Sequence, residues 1–213
     1  MYYNTFRPYL RYAGIDADMP DNFQITPEII RTLRQSPYLD QWRISRENNW
    51  FHLVMHDLSY FVFDTARMSY SFVDRPIDVV SPRQYLRQNN REVTRKNLND
   101  IEEEYDLYLT SAAMRPHVTP IRFDLDVIAY REGVHPAAHI HIGLENQVRL
   151  HVDKELTPVA FFLFVIRQMY PVYWERLCAS NLRNRLKHVA SAGLQLMGGE
   201  YCRPLDEIEL RLS

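Results

Sequence analysis

The sequence predicts an α+β fold: an antiparallel sheet with helices packed on one face and a polar face, rich in His, Asp and Arg, on the other. Three observations favour it. Apolar and polar residues alternate along short segments of the second half, which is typical of strands with one buried face. Thr-Pro or Ser-Pro pairs precede three stretches with helical character. Hydrophobic residues make up 46% of the chain and charged residues 24%, as in ordinary globular proteins.

The first part of the chain, about 1–75, is predicted to form helices followed by a β-meander. Thr26 and Pro27 suit the N-cap and first position of a helix that runs to Arg34. β-branched and aromatic segments with short polar breaks follow, and they predict the meander between about 43 and 74.

Charged helices are predicted to connect the two halves, over about 81–113. Ser81 and Pro82 suit the start of the first of them. A second helix is expected over about 92–109, with its acidic run Glu102–Glu104 facing water.

The second half, about 119–213, is predicted to carry strands with one apolar and one polar face. The alternation is clearest in three segments, 121–127, 139–143 and 148–152. The connection 144–147 is short enough for a hairpin between the last two of them.

Helices are predicted to complete the C-terminal part. Thr157 and Pro158 suit the start of the most apolar helix, which Pro171 breaks. Ser180 suits the cap of a further, basic helix over 181–192. Because the chain has 213 residues and no repeats or low-complexity tracts, we expect a single α+β domain over 1–213.

Composition narrows the function classes. The net charge of −2 disfavours a protein coated by nucleic acid, although local basic patches are compatible with it. Two cysteines, Cys178 and Cys202, are too few for a disulfide framework. The N-terminus lacks the pattern of a signal peptide, and the longest apolar run, Pro158 to Ile166, is too short to cross a bilayer. We therefore expect a cytoplasmic protein with no membrane association.

The polar face of the predicted sheet is the candidate functional site. If the three later strands are neighbours, their polar side chains point the same way. Imidazoles bind metals or transfer protons near pH 7, guanidinium groups hold phosphate, and carboxylates orient imidazoles or bind cations. A solvated face of Arg–Asp pairs with histidines filling space is the alternative. The residues expected there are Arg122, Asp124, Asp126, His139, His141, Arg149 and His151.

The segment from His135 to His141 leaves two kinds of chemistry open. Alternating histidines on a strand converge well on one ion, so His135, His139 and His141 are candidate ligands of a divalent metal. In the metal-free alternative, His139 and His141 act as general acid and base while Arg149 or Arg122 holds a phosphate.

Two known histidine motifs fit only partly. The spacing of His139, His141 and Glu145 coincides with the first part of the cupin metal motif, but Val152 stands where that motif has its later Gly. A histidine-triad hydrolase needs a third alternating His where this chain has Gly143. Neither family is favoured.

Residues 122–171 resemble a family of prokaryotic proteins catalogued as domain of unknown function 2290. The resemblance rests on the core pattern His-Pro-x-x-His-x-His-x-Gly at 135–143, on Arg122-Phe123-Asp124, on Arg149, and on the ends of the apolar helix, Thr157-Pro158 and Met169-Tyr170-Pro171. It implies no established activity. The His-Pro-x-x-His-x-His segment is similar to one in small toxin-like proteins suspected of nuclease activity, which implies a setting in a mobile-element or defence system.

Three functional hypotheses follow. The first is a phosphodiester hydrolase or nuclease acting on nucleic acid or a nucleotide. Arg122 and Arg149 bind its substrate, and its catalytic residues are His139, His141, His151, Asp124 and Asp126. The second is a non-catalytic subunit that binds a ligand, a protein partner or a second copy of the chain. The third is a structural polar face whose histidines make stability depend on pH.

Overall fold

The computed structural model describes residues 3–15, 17–20, 23–145, 147–180, 193–208 and 211–212. The helices are α1 (Tyr3–Ala13), α2 (Pro27–Gln35), α3 (Tyr38–Glu47), α4 (Pro82–Gln88), α5 (Arg95–Asp100), α6 (Glu102–Ser111), α7 (Pro158–Met169) and α8 (Pro171–Ala179). Short 3-10 helices lie at Gly199–Tyr201 and Asp206–Ile208. The strands are β1 (Ala17–Asp18), β2 (Leu53–Met55), β3 (Tyr60–Asp64), β4 (Ser69–Val73), β5 (Ile121–Leu125), β6 (Ala138–Ile142), β7 (Arg149–Val152), β8 (Lys154–Glu155), β9 (Gln195–Leu196) and β10 (Arg211–Leu212).

The described residues group into two compact units. The first unit comprises those within 1–15, 61–72 and 119–213, and the second those within 16–60 and 73–118. The single domain expected from the sequence stays a prediction.

The sheet of the first unit has the strand order β3-β4-β5-β6-β7-β10. The pairs β4–β5, β5–β6 and β6–β7 are antiparallel, as the alternating pattern predicts. The hairpin between β6 and β7 confirms the short connection expected there. β10 pairs in parallel with β7, with Arg211 opposite His151, and no pattern in the sequence predicted this strand.

One face of this sheet is covered by helices through a core of aromatic rings. Phe161 of α7 lies 6.4 Å from Phe61 and 6.0 Å from Tyr70, measured between ring centroids. Tyr70 stacks on its cross-strand partner Phe123 at 5.6 Å. Phe6 of α1 stacks on Phe63 at 5.0 Å. Because side chains alternate along a strand, the polar residues between these rings point to the opposite face. The α+β prediction is confirmed.

Capping residues fix where the helices begin. The side chains of Thr26, Ser81 and Thr157 each accept a hydrogen bond from the backbone N–H three residues ahead, as the Thr-Pro and Ser-Pro pairs predict. Pro171 ends α7 and begins α8, because its ring cannot continue the preceding helix but suits a first position. The helix predicted over 181–192 lies outside the described residues.

Two predicted boundaries are wrong. The helix expected over 92–109 is two helices, α5 and α6, separated at Ile101, whose ψ of 1° departs from helical geometry. Thr94 caps α5 by accepting from the Asn97 N–H. Residues 43–47 belong to α3 and not to the meander, whose strands begin only at Leu53.

The second unit holds α2 to α6 and the antiparallel pair β1–β2. Its interior is tied together by polar groups as well as by packing. The Trp42 indole N–H donates to the Leu58 carbonyl at 3.0 Å, and buried Asp74 pairs with Arg115. Across both units, none of the helices in the described part of the chain is long and apolar enough to span a membrane.

Candidate metal centre

The polar face of the first unit is assembled by strand register. Neighbouring strands place their residues in two cross-strand rows on this face. One row runs across β5, β6 and β7 as Arg122, His141 and Arg149. The next row runs as Asp124, His139 and His151. The predicted strands are therefore neighbours, and six of the seven residues expected on the face lie in these two rows.

The histidines of this face are buried. His139 is 2% exposed, His141 4% and His151 1%, whereas Arg149 is exposed at the edge of the cluster. A solvated polar face therefore does not describe them. Polar groups in the interior need partners, because burial without them costs free energy.

His139 has a defined tautomer. Its Nδ1 lies 2.8 Å from the Pro136 carbonyl oxygen, an acceptor, so Nδ1 carries a proton and Nε2 of the neutral ring offers a lone pair. Burial, and then the neighbouring His141, lower the pKa of His139 to about 4. At neutral pH this imidazole is uncharged, and a backbone carbonyl holds it, as is common for histidines that bind metals.

Asp124 is an ionised carboxylate with several partners. Its Oδ1 accepts a hydrogen bond from the Ser69 hydroxyl at 2.7 Å, and its Oδ2 accepts from Arg122 Nε at 2.6 Å. Oδ2 also lies 3.4 Å from His141 Nε2. Burial alone would raise the pKa of Asp124, but His141, Arg122 and Ser69 together hold it well below the usual range.

Asp124, His139 and His141 together form a candidate metal site. One ligand atom from each lies within 4.8 Å of the other two. Nε2 of His139 and Nε2 of His141 are 3.0 Å apart. A cation with metal–nitrogen bonds of roughly 2.0–2.1 Å separates its ligand atoms by roughly 3 Å, so these distances fit one ion. Two imidazoles and one carboxylate suit a divalent transition metal.

His135 lies beside this group. It lies before β6, in an isolated bridge to Arg131. His135 is therefore not on the same strand as His139 and His141. Its ring lies 4.9 Å from that of His139 and nearly perpendicular to it. His135 was predicted as the third ligand beside His139 and His141, whereas the structure brings Asp124 within reach of the same two histidines.

Asp126 lies just beyond the end of β5 and outside the two rows. Its Oδ1 accepts a hydrogen bond from the Ala129 N–H at 3.0 Å, and its own N–H donates to the Ala137 carbonyl at 2.7 Å. Its carboxylate therefore caps the turn that follows the strand.

Two residues that hold the site in place were missed. Ser69 lies on β4, a strand of the meander, and stands opposite Asp124 because β4 pairs with β5. Asp206 is 1% exposed and accepts hydrogen bonds from the Gly133 N–H at 2.7 Å and the Tyr130 hydroxyl at 2.6 Å. It thereby fixes residues 203–208 to the loop that precedes His135. The alternation of polar and apolar residues along β4 could have predicted Ser69 on this face. No sequence pattern around Asp206 predicts its role.

Comparison with known proteins gives one match. A family model described as an uncharacterized conserved protein, DUF2290, matches residues 21–195. No curated protein and no solved structure matches the chain.

Proposed function

This chain belongs to the DUF2290 family of uncharacterized conserved proteins, and we propose that it is a metal-assisted phosphodiester hydrolase. The ligands of the divalent cation are Asp124, His139 and His141. The observation that carries the proposal is the approach of their ligand atoms to within 4.8 Å of one another. A carboxylate oxygen and two imidazole nitrogens at these distances are donor types that divalent transition metals bind.

The residues around the site suit a phosphate substrate. A divalent cation there supplies Lewis acidity toward a phosphoryl oxygen and lowers the pKa of a bound water. Arg122 and Arg149 flank His141 in the cross-strand row. Arg122 holds Asp124 through Nε, and its two terminal nitrogens, which bond to no group among the described residues, suit a phosphate.

His139 is better suited to bind a metal than to act as a general acid. Its pKa of about 4 leaves Nε2 unprotonated at neutral pH, so it has no proton to give. This favours the metal-assisted route over the metal-free one. His151, directly opposite His139, is the proposed acid–base group, and Asp126 is proposed to orient the substrate from the end of β5.

Nucleic acid or a nucleotide is the proposed substrate. The segment 135–141 resembles one in toxin-like proteins suspected of nuclease activity, which favours a phosphodiester substrate. On the same ground we propose a cytoplasmic role in a prokaryotic toxin or defence system.

The test combines metal content with turnover. The purified protein is stripped with a chelator, reloaded with Zn²⁺, Mn²⁺ or Mg²⁺, and assayed on bis(p-nitrophenyl) phosphate, single-stranded DNA and RNA. We expect hydrolysis only in reloaded protein, and a loss of at least about 100-fold in Asp124→Asn and His139→Gln. The matched control is His117→Gln, which changes an exposed histidine of the second unit. Hydrolysis that persists after stripping, or in both site variants, contradicts the proposal.

One observation favours a second candidate, a non-catalytic subunit with a structural metal. Three histidines of the face are at most 4% exposed, and closed sites are typical of structural ions. This candidate predicts that Zn²⁺ raises the melting temperature while none of the three substrates is cleaved. It also predicts that the exposed Arg149 serves a ligand, a partner protein or a second copy of the chain.

A further inference from the structure

We infer that a second divalent cation binds on the β7 side of His139, with His151 and Asp153 as its protein ligands. This inference rests on the proposed function: it makes the proposed metal centre binuclear, and it replaces the acid–base role proposed for His151 with binding of the second cation. Two cations are a common arrangement for phosphoryl hydrolysis, where they stabilise the attacking and leaving oxygens.

Among the residues that the structure describes, the ring nitrogens of His151 lack the hydrogen bonds that a buried imidazole needs. This side chain is 1% exposed, and both of its ring nitrogens are buried without a hydrogen-bond partner among the described residues. Buried imidazoles nearly always have at least one partner, so such a ring indicates a bound water or ion. His139 stands opposite His151 on the neighbouring strand. It directs Nδ1 to Pro136 and Nε2 to His141, so neither of its ring nitrogens is left to bond with His151.

A carboxylate lies two residues further along the chain from His151. Asp153 Oδ1 is buried and also lacks a partner within the described part of the chain. A carboxylate oxygen can accept hydrogen bonds but cannot donate them, so it needs a hydrogen-bond donor or a cation. The lone pair of an imidazole nitrogen can bind the same cation. This excludes an anion as the common ligand of the two residues.

The carboxylate of Asp206 places negative charge near His151. Asp206 interacts electrostatically with His151, and its own oxygens are occupied by the N–H groups of Gly133 and Arg203 and by the Tyr130 hydroxyl. It therefore contributes negative charge beside His151 without supplying a free ligand atom. Negative charge beside this ring favours a cation.

The number of protein ligands distinguishes the two positions. Among the described residues, only Asp124, His139 and His141 form a set of three ligand atoms within 4.8 Å of one another. The second ion is therefore held by two protein ligands, with water in its remaining positions. We expect it to bind more weakly than the first and to leave first during chelation.

Zn²⁺ stoichiometry tests this inference. Stripped protein is titrated with Zn²⁺ by calorimetry, and metal content is measured by elemental analysis after gel filtration. We expect two equivalents in the unaltered protein, one in His151→Gln, a weakened second equivalent in Asp153→Asn, and two in the exposed-histidine control His117→Gln.

The outcomes separate the two claims. One equivalent in the unaltered protein, lost in Asp124→Asn but kept in His151→Gln, overturns the second site and leaves the proposed function standing. One equivalent lost only in His151→Gln overturns the proposed metal ligands instead. Binding of no Zn²⁺ overturns both. The stoichiometry of the unaltered protein decides the second site even if a variant fails to fold, which near-ultraviolet circular dichroism detects.

Discussion

The Nε2 atoms of His139 and His141 lie 3.0 Å apart in the interior of the first unit. Two imidazole nitrogens at this distance share either a proton or a cation, because two lone pairs facing each other repel. The backbone carbonyl of Pro136 already accepts a hydrogen bond from His139 Nδ1–H. His139 therefore directs the lone pair of its Nε2 toward His141. The chemistry of the site depends on whether a proton or a cation binds that lone pair.

The first prediction concerns the pH dependence of stability in metal-free protein. His139 has a pKa of about 4 when folded and about 6.5 when unfolded, so the unfolded chain binds more protons between these values. The free energy of unfolding should therefore fall by about 3 kcal/mol as pH decreases from 6.5 to 4. Urea unfolding at a series of pH values measures this.

His139→Gln supplies the comparison for that series, because glutamine does not titrate. The variant should lose most of this pH dependence, whatever its stability at pH 7. An unchanged slope in the variant would show that His139 is not the group responsible.

A second prediction concerns the support of Asp124. Ser69→Ala removes the hydroxyl that donates to Oδ1 at 2.7 Å, and hydrogen bonds to charged groups contribute about 1.5–3 kcal/mol. We expect a loss of about that size in the free energy of unfolding and weaker Zn²⁺ binding. Ser71→Ala is the matched control, since Ser71 is the next residue on the same face of β4 and pairs with Arg122 in register. Equal effects of the two substitutions would contradict the assignment.

A third prediction concerns Asp206. Asp206→Asn removes the charge and one of the two oxygens that accept from Gly133, Tyr130 and Arg203. Because at least one donor is left unsatisfied, we expect a loss of about 1–3 kcal/mol in stability. Limited proteolysis should cut within 199–208 faster than in the unaltered protein. Unchanged cleavage there would show that this carboxylate does not hold the segment.

A fourth prediction uses two glycines with left-handed backbone. Gly133 has φ of 65°, and a Cβ there would lie 3.0 Å from Leu205 Cβ, whereas a Cβ at Gly143, with φ of 93°, meets nothing within 4 Å. Gly133→Ala should therefore destabilise the protein more than Gly143→Ala, which has only the backbone strain of about 1 kcal/mol. Thermal unfolding of the two variants compares them, and a larger effect at Gly143 would argue against the close packing of residues 199–208 on this loop.

Much of the site was predictable because strands impose a period of two. That period placed Asp124, His139 and His151 on one face, and the short hairpin made β6 and β7 neighbours. The burial of these side chains was not predictable. A period of two tells which face of the sheet a residue lies on, but not what covers that face.

Local capping signals explain which helix boundaries were correct. The three helix starts predicted from Thr-Pro or Ser-Pro pairs are confirmed, but such a pair is not decisive alone, because Thr119-Pro120 precedes the strand β5. The break between α5 and α6 was missed because apolar spacing continues across Ile101, although Thr94 is a good cap for a helix that begins at Arg95. The predicted meander began too early, because residues 43–47 hold only one β-branched residue, Ile44, and no aromatic one, and so carry no strand pattern.

Anomalous diffraction at the zinc edge, from crystals of protein loaded with Zn²⁺, locates the cation directly. We expect a peak bonded to Nε2 of His139, Nε2 of His141 and a carboxylate oxygen of Asp124. Crystals of Asp124→Asn should show this peak much reduced. The absence of a peak at these three residues in fully loaded crystals, or a peak held only by other side chains, would contradict the proposed metal centre.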